Sequence, residues 1–498
     1  MVKKIVIVDC RSKGVRYLPQ YELFLASELE EKTVSCPKII TIFPSTNFYR
    51  ILEKLAQADL ILLWEFFSTK SYSYLSLYFE IARFLKKKNL STPLVFGGYW
   101  ATTHGRYFKE FKVFDYILEG FSFEKITDIL ANFSGSKGRF FDARGRVDWN
   151  KYDLNLKYLD NKYSYFSDCT LWGYLTSFGC PLNCKFCYAN ALRNYQTDFS
   201  ARSVEKVKKD IDLFLSEYKN MRGISIKDLN FFYNKERAFE ILRYINSKGI
   251  QVNINLDATV KDMDETFFKR LQSLGINKHI YFGLESFTDE TRKRVGKFYT
   301  SAELENVFRL AEKYNVDLTG NVILGFPWQT KEMIVEEIKR ALFYIDKFKN
   351  VYIMMNVYKP EYGTDLQQMY FKDLHQRISF PQLIEVYKNR VRKLQKTVYG
   401  KNFDYIDFER VFNCLRVIAH LKRYMQRLES KVSKYPFIYL IYVFKTQLTK
   451  EPFFRNKLIK FILKREVTDL FIIYFLKTLY RSMKLMEKIL KIFIRTND

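Results

Sequence analysis

Two stretches of this chain alternate short aliphatic runs with segments of helical length, and this alternation restricts the fold more than any other feature. In residues 1–135 the runs are separated by segments such as Gln20–Glu31 and Phe123–Phe133. Such alternation is typical of βαβ units around a parallel sheet. It predicts an N-terminal doubly wound, Rossmann-like α/β domain with ligands at the carboxyl ends of its strands. The candidate strands are Lys4–Val8, Ile39–Phe43, Leu60–Trp64, Leu94–Phe96 and Tyr116–Leu118.

The alternation resumes in residues 171–366, where helix-length segments such as Ser203–Tyr218 and Lys235–Lys248 separate six candidate strands. Six βα repeats predict a partial (β/α)6 barrel, and the active-site residues of such barrels lie on the loops at the carboxyl ends of the strands. The candidate strands are Leu171–Ser177, Ile224–Ile226, Val252–Leu256, Ile280–Leu284, Leu318–Leu324 and Val351–Asn356. The polar, irregular residues 136–170 between the two stretches are interpreted as a linker.

The alternation stops after residue 366, and residues 367–498 are predicted to form a mainly helical, basic C-terminal domain. The chain has a net charge of +27, and residues 381–498 carry 26 Lys and Arg against 10 Asp and Glu. Apolar runs flanked by Lys and Arg suit an anionic membrane surface. Residues 435–498 therefore suggest peripheral membrane contact, while helices that pack an apolar face on the barrel explain the same pattern.

No part of the chain predicts secretion or a membrane span. The apolar run at the N-terminus is too short for a signal peptide. No stretch reaches the roughly 18 apolar residues that a spanning helix needs. We therefore expect a cytoplasmic protein, with or without association to a membrane surface.

The cysteines are concentrated at one point, and this concentration predicts a metal centre. Seven Cys in 498 residues are too few for a disulfide scaffold, yet Cys180, Cys184 and Cys187 lie within eight residues, directly after a candidate strand. Three thiolates on one loop can hold an iron–sulfur cubane whose fourth iron has no protein ligand. A structural zinc site is the alternative, but it needs a fourth ligand. No His is near the loop, and Cys169 has no paired partner.

The Cys-x3-Cys-x2-Cys spacing at the first strand of a βα barrel resembles the radical S-adenosylmethionine (SAM) superfamily. The resemblance implies that Cys180, Cys184 and Cys187 bind a [4Fe–4S] cluster. SAM would chelate the open iron and be cleaved to a 5′-deoxyadenosyl radical. Segments at later strand ends also resemble the family, namely Ile226–Phe231, Gly283–Ser286, Leu324–Pro327 and Tyr358–Leu366. The SAM-binding residues that the resemblance implies are Tyr188, Asp228, Glu285 and Gly325.

The N-terminal domain resembles the cobalamin-binding domain that precedes the barrel in one branch of this superfamily. The matching residues are Val95–Gly98 and Phe114–Gly120, and the resemblance implies that Gly97 and Gly98 lie against the nucleotide tail of cobalamin. Two features differ from the branch. No Asp-x-His-x-x-Gly segment supplies an axial histidine, and Phe121–Phe123 replaces the acidic pair after Gly120. The resemblance implies a methyltransferase that transfers a methyl group from methylcobalamin to an unactivated carbon.

Three hypotheses remain open from the sequence. The first is this cobalamin-dependent methyltransferase, acting on a lipid, peptide or other small molecule with a reductant such as flavodoxin or ferredoxin. The second is a radical SAM enzyme with a degenerate cobalamin domain and a non-methylating reaction. The third is a non-enzymatic metal-binding, membrane-docking protein. A tRNA methylthiotransferase would carry three further Cys in its N-terminal domain, but only Cys10 and Cys36 precede the linker, which argues against nucleic acid. The sequence identifies no catalytic residue.

Overall fold

The computed structural model describes most of the chain up to residue 372. The described ranges are 4–10, 18–33, 35, 37–42, 51, 54–65, 72–88, 91–108, 113–131, 139–160, 171–193, 199–219, 221, 223–252, 256–274 and 279–372. The predicted C-terminal domain, including residues 435–498, lies outside them.

The N-terminal half contains a six-stranded sheet with the order β2-β1-β3-β4-β5-β6, and every neighbouring pair is parallel. All five predicted strands are confirmed, with ends that differ by one or two residues. The third strand is buried along its whole length, as expected for a parallel strand covered on both faces. The strands are β1 (Ile5–Cys10), β2 (Lys38–Ile42), β3 (Leu60–Glu65), β4 (Leu94–Gly98), β5 (Tyr116–Glu119) and β6 (Arg139–Asp142).

Four described helices accompany this sheet, and they agree with the predicted helical segments. Helix α3 directly follows β4 and begins beside the glycine pair, so its first turn lies at the carboxyl edge of the sheet. Its residue His104 departs from helical geometry, which marks a kink. The helices are α1 (Gln20–Lys32), α2 (Tyr72–Lys87), α3 (Tyr99–Phe108) and α4 (Phe123–Ala131).

The predicted linker is wrong for part of its length, because residues 139–160 are packed structure. Strand β6 extends the sheet by pairing with β5, and Trp149 is fully buried. The buried Arg202 of the second half donates hydrogen bonds to the carbonyls of Trp149 and Tyr152, and it is ion-paired with the buried Asp210. This segment is polar, contains glycine and has no periodic apolar pattern. Its packing against distant parts of the chain was therefore not predicted from the sequence.

In the second half seven strands form two parallel sheets, in the orders β11-β10-β7 and β12-β13-β14-β15. The predicted first strand is shorter than expected, because Ser177 and Phe178 instead pair antiparallel with Ser200 and Ala201. At the two ends of the predicted strand Val252–Leu256, the described residues form the short strands Gln251–Val252 and Leu256–Ala258. The strands are β7 (Leu171–Tyr174), β8 (Ser177–Phe178), β9 (Ser200–Ala201), β10 (Gly223–Ile226), β11 (Gln251–Val252), β12 (Leu256–Ala258), β13 (His279–Glu285), β14 (Asp317–Leu324) and β15 (Val351–Val357).

Helices with clear capping residues connect these strands. Ser203, Asn234, Asp264, Thr300 and Thr330 each accept a hydrogen bond from the backbone amide three residues later, which satisfies an amide that the helix leaves open. The helices are α5 (Tyr188–Arg193), α6 (Val204–Glu217), α7 (Lys235–Ser247), α8 (Glu265–Ser273), α9 (Asp289–Arg294), α10 (Ser301–Lys313), α11 (Lys331–Lys347) and α12 (Asp365–Phe371). None of the helices in the described ranges is long and apolar enough to cross a membrane.

Candidate functional site

The three clustered cysteines lie on a loop between β8 and α5, on the carboxyl side of β7, the first strand of the second half. Cys184 is buried, and Cys180 and Cys187 are partly buried. The backbone carbonyl of Cys187 accepts hydrogen bonds from the amides of Asn190 and Ala191, so the last cysteine directly precedes the first turn of α5. The loop is therefore anchored at its C-terminal end by a helix.

Contacts from two other segments fix the middle of the loop. The Lys185 amide donates to the Val295 carbonyl at 3.1 Å, and the Lys185 carbonyl accepts from the Leu366 amide at 3.1 Å. Gly296 has a φ of 85°, and a Cβ there would lie 2.7 Å from the Asn183 carbonyl oxygen. Only a residue without a side chain allows this close approach. The cysteine loop is thus packed into the second half of the chain rather than projecting from it.

Burial keeps the three thiols protonated in the metal-free protein. It raises the pKa of Cys180, of Cys184 and of Cys187, the last to about 12. The nearby Lys297 ammonium opposes this shift at Cys184. Metal ligation must therefore displace protons from the loop. Within the ranges described, no three His, Cys, Asp or Glu side chains converge as a site for one ion. A cubane binds each thiolate through a different iron, and three thiols on one anchored loop suit that donor set.

Glu285 and Lys297 form a buried ion pair beside the cysteines. Lys297 Nζ lies 3.3 Å from Glu285 Oε1 and also contacts the Cys184 thiol. A Cβ on Gly283 would lie 2.2 Å from Glu285 Oε1 and 2.8 Å from Lys297 Nζ. The ion pair therefore occupies the space that a side chain at position 283 would need. Burial raises the pKa of Glu285 against the opposing effect of Lys297. Burial alone would lower the pKa of Lys297, but the Glu285 carboxylate raises it above its ordinary value.

Asp228, at the carboxyl end of β10, is buried and uses both carboxylate oxygens within the protein. Oδ1 accepts from the Thr176 amide at 2.6 Å, and Oδ2 accepts from the Thr176 hydroxyl at 2.5 Å and the Ser177 hydroxyl at 2.8 Å. These bonds fix the residues that lead into the cysteine loop. They favour a positioning role for Asp228, and a direct contact with SAM remains a prediction.

Tyr188 is the first residue of α5, and Gly325 directly follows β14, at the strand end where the sequence predicted it. Tyr188 follows the last cysteine, and its ring meets the ring of Tyr99 edge to face with 5.7 Å between centroids. Tyr99 is the first residue of α3, so this contact joins the cysteine loop to the carboxyl edge of the N-terminal sheet. Gly325 has a φ of 78°, and its amide donates to Gln329 Oε1 at 2.7 Å. Contact of either residue with SAM remains a prediction.

The glycine pair predicted to lie against cobalamin is in close contact with the neighbouring strand. A Cβ on Gly97 would lie 2.2 Å from the ring of the buried Trp64. Gly98 has a φ of 103°, and its Cβ would lie 1.8 Å from the Glu65 carbonyl oxygen. The indole of Trp64 stacks on Tyr21 at 4.9 Å. Packing inside the domain therefore already requires both glycines, and their contact with a corrinoid remains a prediction.

One face of the second sheet carries small and polar residues next to the ion pair. Phe282 packs outward against Phe308 of α10, so alternate residues of β13 face the interior. Gly283, Asn321 and Met354 are register partners on β13, β14 and β15, and the Met354 side chain is 46 % exposed. The ion pair fills the space over Gly283, and the Met354 thioether is accessible on the same sheet.

Sequence reasoning did not identify three of the residues at this site. Lys297 lies twelve residues beyond Glu285, in a turn with no recognisable motif. His104 and Tyr362 pack ring to ring, with 5.1 Å between centroids, between the N-terminal half and the loop after β15. Only the position of the Tyr358–Leu366 segment at a strand end could have suggested that Tyr362 contributes to the site.

Known proteins similar to this chain agree on the nature of its second half. The model of the Radical SAM superfamily matches residues 174–341. An uncharacterized methyltransferase from Pyrococcus horikoshii is 28 % identical over 192 residues, which are 39 % of this chain and 40 % of that protein. A tRNA-2-methylthio-N(6)-dimethylallyladenosine synthase from Clostridium tetani is 25 % identical over 230 residues, 44 % of this chain and 49 % of that enzyme. The chain thus matches half or less of the length of these two relatives.

Two solved structures share the fold over most of the chain. The radical SAM methyltransferase TsrM from Kitasatospora setae, with cobalamin and a [4Fe–4S] cluster bound, aligns with a TM-score of 0.56 at 14 % identity. The alignment covers 76 % of this chain and 80 % of the TsrM chain. The cobalamin-dependent SAM radical enzyme OxsB, with aqua-cobalamin and SAM bound, aligns with a TM-score of 0.51 at 15 % identity, over 80 % of this chain and 57 % of OxsB. The match to the family model identifies residues 174–341 as a radical SAM domain.

Proposed function

We propose that the protein is a cobalamin-dependent radical SAM enzyme that methylates an unactivated carbon of a small-molecule, lipid or peptide substrate. The observation that carries this proposal is the anchored loop with Cys180, Cys184 and Cys187 beside the Glu285–Lys297 pair. When bound, the cluster and SAM supply the radical that activates the substrate, and methylcobalamin supplies the methyl group. In such enzymes the cofactors carry the hard chemistry, and the protein positions them and excludes water.

The residues around the loop have separate tasks in this proposal. The three cysteines hold the cluster. Lys297, a buried cation next to Cys184, neutralises the carboxylate of SAM, and Glu285 orients Lys297. Tyr188 packs against the adenine, and the Gly325 turn leaves space at the strand end. Asp228 keeps Thr176 and Ser177 in place at the start of the loop.

The N-terminal domain is proposed to bind cobalamin at the carboxyl edge of its sheet. Tyr99, at that edge, contacts Tyr188, so a group bound there would face the cysteine loop. The structural likeness to TsrM extends over 76 % of the chain, which supports a common arrangement of both halves. Doubly wound sheets bind their ligands at this edge.

A radical SAM enzyme without cobalamin is the second candidate, and the packing of Trp64 favours it. The indole covers Gly97, and its Nε1 is buried with no hydrogen-bond partner in the described part of the chain. A domain that has lost its cofactor can fill the vacant space with such side chains. In this case the second half would catalyse a non-methylating radical reaction.

One experiment on the full chain separates the two candidates. The protein is purified without oxygen, reconstituted with iron, sulfide and hydroxocobalamin, desalted, and given SAM and dithionite. Retained corrinoid absorbance together with 5′-deoxyadenosine supports the cobalamin-dependent enzyme, whereas 5′-deoxyadenosine without corrinoid supports the second candidate. Cys184→Ala should abolish both iron binding and SAM cleavage. Cys10→Ala, at a buried cysteine of the N-terminal sheet, is the matched control and should retain both.

A further inference from the structure

Glu285 is held in a strained three-residue turn at the end of β13. Its φ is 62°, and the Ser286 amide donates to the Leu284 carbonyl at 2.7 Å across it. The same carbonyl accepts a hydrogen bond from the Tyr299 hydroxyl at 2.6 Å. A three-residue turn with a positive φ at its centre is rare, and it persists where the surrounding structure enforces it. The contacts on both sides of this turn therefore determine where the Glu285 side chain lies.

Glu337, a buried residue of α11, holds the chain just beyond this turn. One of its carboxylate oxygens accepts a hydrogen bond from the Ser286 hydroxyl, and the other accepts from the Phe287 amide at 2.7 Å. Hydrogen bonds to a carboxylate are stronger than those between neutral groups. Attachment at two consecutive residues therefore fixes the direction in which the chain leaves Glu285.

Arg292, a buried residue of α9, joins the strand end to the turn that carries Lys297. Its Nη1 donates to the Ser286 carbonyl at 2.8 Å, and its Nε donates to the Tyr299 carbonyl at 3.1 Å. The Arg292 carbonyl in turn accepts from the Lys297 amide at 2.8 Å. Arg292 therefore connects the two segments that supply Glu285 and Lys297. We refer to Arg292 and Glu337 together as the brace.

The cost of burying these charged side chains argues for a role beyond stability. Burial raises the pKa of Glu337, so its charge is kept at a cost, and Arg292 pairs with the largely exposed Asp289. Apolar side chains of similar size often give equal or greater stability than buried charges. The charged groups add direction, because each of them bonds to particular atoms of residues 286–299.

We propose that Arg292 and Glu337 are positioning residues for SAM recognition, because they set the separation and direction of Glu285 and Lys297. The inference rests on the proposed function, in which Lys297 neutralises the carboxylate of SAM. The brace acts through the backbone on either side of the ion pair, so it fixes how SAM is held before any bond breaks. Loss of an interaction that is equally strong before and during the reaction raises KM and leaves kcat unchanged.

The test uses the reconstituted full chain and two conservative variants. Glu337→Gln keeps the shape of the side chain but removes its charge, and Arg292→Lys keeps the charge but has no planar fork to join two carbonyls. Glu336→Gln and Arg294→Lys are matched controls at more exposed positions of the same two helices. We expect each test variant to raise the Kd for SAM roughly 10-fold, measured by titration calorimetry without reductant, with unchanged iron content. The controls should bind SAM as the unaltered protein does.

Steady-state kinetics with dithionite separate positioning from stability. The KM for SAM should rise roughly 10-fold in both test variants, while kcat for 5′-deoxyadenosine formation changes little. A lower Tm with unchanged Kd and KM would show that the brace is structural only, and would overturn the inference.

Hydrogen exchange provides a readout that depends on neither SAM nor the cluster. If the unaltered protein binds no SAM, the proposed function is refuted, and exchange at the Ser286 and Lys297 amides then decides whether the brace fixes the ion pair. Faster exchange in both test variants than in the controls supports the brace. Equal exchange in all four variants refutes it.

Discussion

The Lys297 ammonium lies 3.3 Å from the Glu285 carboxylate and contacts the Cys184 thiol, which places a buried positive charge beside the cysteine loop. Glu285 has a φ of 62°, in the left-handed region that is costly for a residue with a side chain. Such strain persists where the surroundings enforce it, here through the ion pair over Gly283. The pair is therefore the best candidate for recognition of SAM.

Lys297→Met should lower SAM cleavage by roughly 10- to 100-fold, the range typical of residues next to metal ligands. The iron and sulfide content should stay the same, because the three cysteines are untouched. Lys297→Arg, which keeps the charge, should recover part of the rate, and Lys219→Met is the matched control at an exposed position after α6. The measurements are 5′-deoxyadenosine formation, SAM affinity and iron content. Loss of iron in Lys297→Met would show that the lysine holds the loop rather than SAM.

Gly296→Ala should weaken the cysteine loop specifically. The new Cβ would lie 2.7 Å from the Asn183 carbonyl oxygen at a φ of 85°. Gly249→Ala is the matched control, because Gly249 has a φ of 69° but nothing within 4 Å of its Cβ. We expect the control to lose roughly 1–2 kcal/mol of unfolding free energy and no iron. Gly296→Ala should lose more unfolding free energy than the control and should also lose iron, as measured by thermal unfolding and iron content. Equal iron content in the two variants would contradict this account.

The elements and the cysteine loop could be predicted from sequence because their signals are local. Aliphatic runs such as Leu60–Trp64 mark buried parallel strands wherever they occur, and the spacing of three cysteines is visible directly. The ends of the elements shifted by a residue or two, since capping depends on side chains such as Ser203 that periodicity does not register. In this chain the order of elements along the sequence therefore indicated the fold.

The contacts that shape the site were not predictable, since they join residues distant in sequence. Trp64 covers Gly97, and Lys297 reaches back to Cys184 from a turn without a motif. A glycine pair at a strand end is compatible with a bound ligand or with a neighbouring side chain, and only the three-dimensional structure distinguishes them. Trp149 was missed for the same reason, because its burial depends on contacts with residues far along the chain.

Arg202→Met should destabilise the protein by about 3–5 kcal/mol, because it leaves Asp210 buried without its partner. Both side chains are almost fully buried, and Arg202 also donates to the carbonyls of Trp149 and Tyr152. Arg144→Met removes an exposed pair with Asp142 and should cost no more than about 1 kcal/mol. Denaturant unfolding of the two variants checks the difference. Similar losses would mean that Arg202 does not join residues 149–152 to the second half.

Glu361→Gln should make the protein more stable at pH 8 but not at pH 5. Burial raises the pKa of Glu361 to about 7, against a small opposing effect of Lys359. The folded protein therefore holds this proton more tightly than the unfolded chain, and stability falls as pH rises from the ordinary carboxyl value through about 7. Partial exposure of the Glu361 side chain limits the stability that its ionisation costs. We therefore expect Glu361→Gln to raise the Tm by about 2–4 °C at pH 8.

Glu265→Gln provides the opposite case for this pH prediction. Hydrogen bonds from Lys313 and Tyr314 lower the pKa of the exposed Glu265 to about 2, so it is ionised in the folded protein across the whole range from pH 5 to pH 8. Its stabilising effect is present above the ordinary carboxyl pKa and is lost only as pH falls toward about 2. The Tm of Glu265→Gln should thus lie below that of the unaltered protein by nearly the same amount at pH 5 and pH 8. A Tm difference for Glu361→Gln that is equally independent of pH would show that Glu361 titrates normally, with its carboxylate in contact with solvent.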